Sequence, residues 1–199
     1  MNADGTGQTS LTSNRAPDSD AAPLWSPDGS KIAFRSVRGG DYEVYAMNAD
    51  GTGLTNLSNN PDRDDRPAWS PDGSKIAFQS ERDGNLEIYV VNADGTGPIN
   101  LTNSPNIETS PYWSPDGSKI AFTSGPADGP PDIWVMNADG TGQTNLTNRP
   151  ETDFEPAWSP DGSKIAFLSR PDPDSSATDI YVMNADGTGQ TNLTNSPVY

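Results

Sequence analysis

Cysteine and histidine are both absent from these 199 residues. Without cysteine there is no disulfide, no thiolate metal site and no cysteine nucleophile. Without histidine the commonest general base and the commonest zinc ligand are gone as well. Lysine occurs only as Lys31, Lys75, Lys119 and Lys164, and hydrophobic residues make up 31% of the chain. No apolar run approaches the length of a membrane span, so no membrane insertion is expected. The first residues are polar from the start, so no signal peptide is expected there. Acids outnumber bases to a net charge of −16. That charge disfavours nucleic acid and anionic membrane surfaces as partners. With 19 Gly and 19 Pro, such a composition leans towards disorder unless its few apolar residues recur at fixed places. They do.

WSPDGSKIAF stands unchanged at 25–34, 69–78, 113–122 and 158–167, and NADGTG at 2–7, 48–53, 92–97, 137–142 and 184–189. Trp25, Trp69, Trp113 and Trp158 are spaced by 44, 44 and 45 residues, a period that points to a solenoid or a propeller. Each unit runs P-x-W, SPDG, KIAF, a variable loop, an acid–apolar–aromatic run, NADGTG and a final N/S-L-T/S. Pro-Asp-Gly and Ala-Asp-Gly are tight-turn chemistry. The Ile-, Val-, Phe- and Tyr-rich runs between them read as four strands per unit, A around Trp, B at KIAF, C at IYVM and D at TNLT. No segment holds a helical period. Strands B and C are apolar on both faces, as in sheets covered on two sides. Four-stranded sheets stacked around an axis meet that condition.

The expected fold is therefore all-β, a β-propeller of four-stranded antiparallel blades. The division is 1–12 an unpaired outer (D) strand, 13–57 blade 1, 58–101 blade 2, 102–146 blade 3, and 147–199 blade 4 with a carboxy-terminal tail. Four complete blades plus one extra amino-terminal outer strand leave two equivalent D strands, TGQTSLTS and TGQTNLTN, for one edge at blade 4. Three outcomes fit: a window cut from a longer propeller, a small four-bladed ring, or edge-to-edge assembly of copies. Ser196-Pro197-Val198-Tyr199 resembles the start of another inter-blade connection.

WSPDGSKIAF followed by IYVMNADGTG and LTN resembles the TolB-type (WD-like) β-propeller repeat of bacterial periplasmic and extracellular proteins, over essentially the whole chain. The resemblance implies a periplasmic or extracellular location and a non-catalytic scaffold. TolB itself carries a separate amino-terminal domain and a six-bladed ring, and neither is visible in this sequence.

Unit-specific residues fall in the B–C loops and D–A connections, which share one face, so binding specificity is expected there. Two acids recur on that face in every unit. Asp20, Asp64, Glu108 and Asp153 lie five residues before the blade tryptophan, and Glu43, Glu87, Asp132 and Asp179 open strand C. They read either as architectural bonds between blades or as an acidic rim that attracts cations or a basic partner segment. No cofactor is expected; calcium at the acidic face is left open without a dedicated motif, since NADGTG offers too few carboxylates for a calcium loop. The sequons at Asn56, Asn100, Asn145 and Asn192 are copied with the repeat and count as one coincidence. Nothing supports an enzyme: no histidine activates a serine, no G-x-S-x-G elbow occurs, and DGTG lies in a hairpin rather than before a helix. The leading functional expectation is a scaffold binding another macromolecule through its loop-rich, acidic face. The alternatives are a structural protein that assembles with itself by strand exchange, and the accessory propeller of a peptidase whose catalytic domain lies outside this chain.

Overall fold

The computed structural model describes residues 4–12, 19–171 and 177–195. Their strands form four separate four-stranded sheets. Blade 1 comprises β1 (Asp20–Trp25), β2 (Lys31–Ser36), β3 (Glu43–Asn48) and β4 (Thr55–Asn56). Blade 2 comprises β5 (Asp64–Trp69), β6 (Lys75–Ser80), β7 (Glu87–Asn92) and β8 (Ile99–Asn100). Blade 3 comprises β9 (Ile107–Trp113), β10 (Lys119–Gly125), β11 (Asp132–Asn137) and β12 (Thr144–Asn145). Blade 4 comprises β13 (Thr152–Trp158), β14 (Lys164–Arg170), β15 (Asp179–Asn184) and β16 (Thr191–Asn192). All neighbours are antiparallel, as expected of a propeller.

The repeated motifs build the turns. In SPDG, the Gly73 amide donates to the Ser70 carbonyl at 2.9 Å, while Asp72 accepts from the Ser70 hydroxyl at 2.6 Å and the Ser74 amide at 3.0 Å. Those donors, the Ser70 hydroxyl first, hold the Asp72 carboxyl down at about 2. In NADGTG, Asp94 accepts from both the amide and the hydroxyl of Thr96, at 2.9 and 2.6 Å. Lys75 Nζ donates to the Asn92 side chain at 3.1 Å, so the single lysine of each unit ties strand B to this turn. The P-x-W signature has a separate origin. Ala22, Arg66, Ser110 and Glu155 each have φ between 52 and 55° and each precede a proline at a register shift in the inner strand. One extra residue there makes a β-bulge, and proline is tolerated because an inner edge strand needs no further ladder donor.

Each junction between consecutive blades is made of two unlike halves. The trailing face of a blade offers small aliphatic side chains and the strand-D leucine; the leading face of the next offers Trp, Ile, Phe and an aromatic residue of strand C. Thus Ala33, Val44, Ala46 and Leu57 pack with Trp69, Ile76, Phe78 and Tyr89. The same halves meet between blades 2 and 3 and between blades 3 and 4. A hydrogen bond crosses each junction: the indoles of Trp69, Trp113 and Trp158 donate to the carbonyls of Leu24, Ala68 and Tyr112 at 3.2–3.3 Å. The leucine also lies against the NADG glycine of the next blade. A methyl on Gly140 would sit 2.7 Å from the Leu101 carbonyl oxygen. Gly140→Ala is therefore expected to cost about 2 kcal/mol or more, combining that collision with a side chain at positive φ. Gly84→Ala, at φ 95° in open space, carries only the backbone cost and is the control. Urea denaturation of the two variants checks the difference.

No core cluster among the described residues joins blade 4 to blade 1. Trp25 is 56% exposed and Leu193 is 59% exposed, whereas their counterparts Trp69 and Leu57 are buried. The four blades form an open arc. The outer strand expected at 1–12 is not hydrogen-bonded into a sheet: its described residues, 4–12, carry no strand. Nor does it contest the edge of blade 4, where β16 already pairs with β15. Its Leu11 lies instead against Gly51, the NADG glycine of blade 1. That is the place a preceding blade's leucine takes, and no strand C among the described residues lies beside it. Ser196-Pro197-Val198-Tyr199 falls outside the described residues.

Candidate functional site: the loop-bearing face

The B–C loops and D–A connections gather around the start of strands A and C, where both sets of recurrent acids lie. Glu43, Glu87 and Asp179 are buried and Asp132 is half-buried. Each accepts a hydroxyl fifteen residues later: Ser58 to Glu43, Thr102 to Glu87, Thr147 to Asp132 at 2.9 Å and Thr194 to Asp179 at 2.8 Å. The same hydroxyls accept the amides of Val44, Ile88, Ile133 and Ile180 at 2.9–3.1 Å. This clasp fixes the two-residue strand D against strand C. It also gives the N-L-S/T tripeptide an internal purpose, since Asn100 caps the following turn by accepting the amides of Thr102 and Asn103 at 3.0 Å each.

The other four acids sit one layer further in. Asp64, Glu108 and Asp153 are buried and Asp20 is half-buried. Three of them meet a guanidinium: Arg38 with Asp20 at 3.1 Å, Arg82 with Asp64 at 3.3 Å and Arg149 with Asp153 at 2.7 Å. Each of those arginines also lies over the aromatic pair of its blade. Arg82 stands 4.4 Å from the Tyr89 ring centre, Arg38 5.0 Å from Tyr45 and Arg149 4.5 Å from Tyr181. The first two come from the B–C loop, two residues after the strand-B serine. Arg149 reaches the same place from the D–A connection, and spacing gave no sign of that equivalence. Burial pushes the Asp64 carboxyl up despite Ser80 and Arg82. For Asp20, burial is outweighed by Ser36, Thr12 and Arg38, and its carboxyl falls.

Blade 3 has no such arginine. Glu108 receives the hydroxyls of Ser104 and Ser124 on Oε1 at 2.6 and 2.9 Å. Its Oε2 is buried with no donor. Burial first, then the neighbouring Glu87 carboxylate, push the Glu108 carboxyl up to about 7.

These hydrogen bonds and ion pairs occupy the eight acids with the framework of the blades. The groups that do reach the surface near the axis are different ones. Arg35 and Arg63 both pair with Asp65, at 2.9 and 3.2 Å, and both lie over the exposed Tyr42 ring, at 4.6 and 5.2 Å. Arg66 reaches from blade 2 to Glu155 of blade 4 at 3.0 Å, and both side chains remain more than 40% exposed. Beside them runs an open groove of about 660 Å3 along the inner strands, with Leu24, Trp25 and Tyr112 among its walls and Asp65 its only acid. Sequence reading missed this basic, aromatic centre because its members occur once each and have no counterpart in the other units. No group of three or more acids among the described residues could hold a metal ion.

Residues 52–127 match the family model for the TolB beta propeller domain. A putative TolB from Agrobacterium tumefaciens is similar over 84% of this chain, with 28% identity and a TM-score of 0.75. Over residues 52–127 the repeat of this chain is of the TolB β-propeller type. TolB from Acinetobacter baumannii superposes over 86% of the chain at 24% identity and a TM-score of 0.72. A Mycobacterium tuberculosis puromycin-hydrolyzing peptidase shares the fold over 90% of the chain, at 16% identity and a TM-score of 0.68. The chain spans 62%, 42% and 30% of the length of those three proteins.

Proposed function

We propose that this TolB-type propeller is a non-catalytic scaffold that binds another macromolecule on its loop-bearing face, in the periplasm or outside the cell. The observation that carries the reading is the convergence of unit-specific side chains at the axis, Arg35, Arg63 and Arg66 with Tyr42 and Tyr112, on a chain whose other recurrent positions are spent on turns and clasps. Arginine and aromatic residues concentrate binding energy when a partner desolvates them, and loops on a rigid frame are where specificity accumulates. The partner segment that fits is extended and carries carboxylates, because Arg35, Arg63 and Arg66 line the groove against Asp65, with Glu155 beyond the lining as the partner of Arg66. The eight recurrent acids belong to this site only indirectly, by fixing the loops that present it.

A photo-crosslinking side chain in place of Tyr112, introduced in the host cell, tests the reading. A discrete adduct is expected there, absent when the probe stands at Asp94 on the turn face, and lost when Arg66→Glu is added. Equal adducts at both positions, or an adduct indifferent to Arg66→Glu, would overturn it.

A further inference from the structure

The bulge of the inner strand carries a position at which the four units share nothing. Ala22, Arg66, Ser110 and Glu155 occupy it in turn, each at positive φ and each before a proline, while the tryptophan three residues later never changes. A left-handed backbone is costly for any residue but glycine, and a bulge re-aims the side chain it carries. The backbone there is fixed from the preceding blade: Gln79 Oε1 accepts the Ser110 amide at 3.3 Å, and Thr123 Oγ1 accepts the Glu155 amide at 3.2 Å. What varies between blades is the side chain on a constant frame.

Three of these residues, Ala22, Arg66 and Ser110, line the groove, and the fourth reaches the same guanidinium. Arg66 Nη1 donates to Ser110 Oγ and to Glu155 Oε1, at 3.0 Å each. The two acceptors differ in kind. Ser110 is buried, so its hydroxyl anchors the guanidinium without answering its charge. Glu155 answers the charge, but it is 43% exposed and touches a single nitrogen through a single oxygen.

The other acid at the axis sets the contrast. Asp65 is buried, accepts from Arg35 and Arg63, and also takes the Arg66 amide at 2.7 Å. It is part of the frame. The Glu155 side chain has no hydrogen bond or ion pair among the described residues except the one to Arg66. An exposed pair of that kind opens readily, and a guanidinium can bind a carboxylate through two parallel bonds where Glu155 uses one.

We propose, on the reading of the axis as a site for a carboxylate-bearing segment, that Glu155 is an internal stand-in for that ligand. Its carboxylate holds the place on Arg66 that a carboxylate of the incoming segment takes, and the segment enters by displacing it. Ser110 keeps the guanidinium in position while the exchange occurs. The bulge residue of each blade thus decides what the segment meets at that level of the axis: an acceptor of carboxylate from blade 2, an anchor from blade 3, a competitor from blade 4.

Fluorescence anisotropy of a labelled hexaglutamate peptide, titrated with the 199-residue chain at constant pH and ionic strength, tests this. Glu155→Gln keeps the shape and removes the competing charge. It is expected to tighten binding about threefold, the equivalent of ~0.7 kcal/mol. Asp128→Asn, at an exposed acid in a loop of the same face, changes the net charge equally and should alter affinity far less. In an Arg66→Gln background the effect of Glu155→Gln should disappear. Equal gains from Glu155→Gln and Asp128→Asn would overturn the proposal, as would a gain that survives Arg66→Gln or a peptide that binds none of the variants. The Tyr112 crosslink is scored apart: an adduct there beside a negative peptide result leaves the binding face standing and removes only the role of Glu155.

Discussion

Arg149→Ala is expected to destabilise the protein by about 3–5 kcal/mol, the cost of leaving a buried carboxylate without its counter-charge. Asp153 is fully buried, and Arg149 holds both its oxygens, at 2.8 and 2.7 Å. The substitution also strips the cover from Phe167 and Tyr181, whose ring centres lie 5.5 and 4.5 Å from the guanidinium. Arg66→Ala is the informative contrast. Its partner Glu155 is 43% exposed, and a surface pair of that kind is worth under about 1 kcal/mol. Adding Asp153→Asn to Arg149→Ala removes the stranded charge and should recover part of the loss. Urea titrations of the three variants measure all of this. Were Arg149→Ala to cost no more than Arg66→Ala, the recurrent acids would return as candidates for a ligand site.

The second large effect is a pH dependence centred on Glu108. Its carboxyl stands at about 7 in the folded chain against 4.5 when unfolded, so between those values the folded state holds a proton that the unfolded state has lost. Stability from this group is complete below about 4.5 and is lost as pH rises through 7, a total on the order of 3 kcal/mol. Glu108→Gln keeps the shape and cannot ionise. The variant should therefore melt higher than the parent at pH 8 and match it at pH 5. The SPDG aspartates act at the other end. Their carboxyls are held down at about 2, so their contribution is lost as pH falls from about 4 to 2. The stability maximum is expected near pH 4–5, and parallel melting curves for parent and Glu108→Gln across pH 5–8 would argue against the Glu108 assignment.

The fold was legible because the repeat states it four times. Pro-Asp-Gly and Asn-Ala-Asp-Gly mark the turns by their own chemistry, and the apolar runs of KIAF and IYVM can only be strands covered on both faces. The candidate site was legible in outline alone. Regular spacing located the eight acids, which read either as architectural bonds or as a rim; spacing carries no information on burial, and six of them are buried and two half-buried. The arginines that neutralise them are irregular in sequence: Arg38 and Arg82 follow strand B, while Arg149 precedes strand A. Only three dimensions bring them to one position over the aromatic pair. Arg63, Tyr42 and Tyr112 were harder still, since a residue that occurs in a single unit leaves no periodic trace. The extra outer strand expected at 1–12 carries no strand over its described residues, since a strand there depends on a neighbour that no sequence pattern specifies.

Each blade carries the two unlike halves of a junction on its opposite faces. A duplicated stretch of coding sequence one period long therefore arrives with a partner already fitted on both sides. Lengthening or shortening the arc by whole units requires no new contact to evolve, only a change in copy number. The near-identity of the units is then what keeps such rearrangement harmless, and the side chains that break it, at Arg35, Arg66 and Tyr112, are what distinguish one copy from the next.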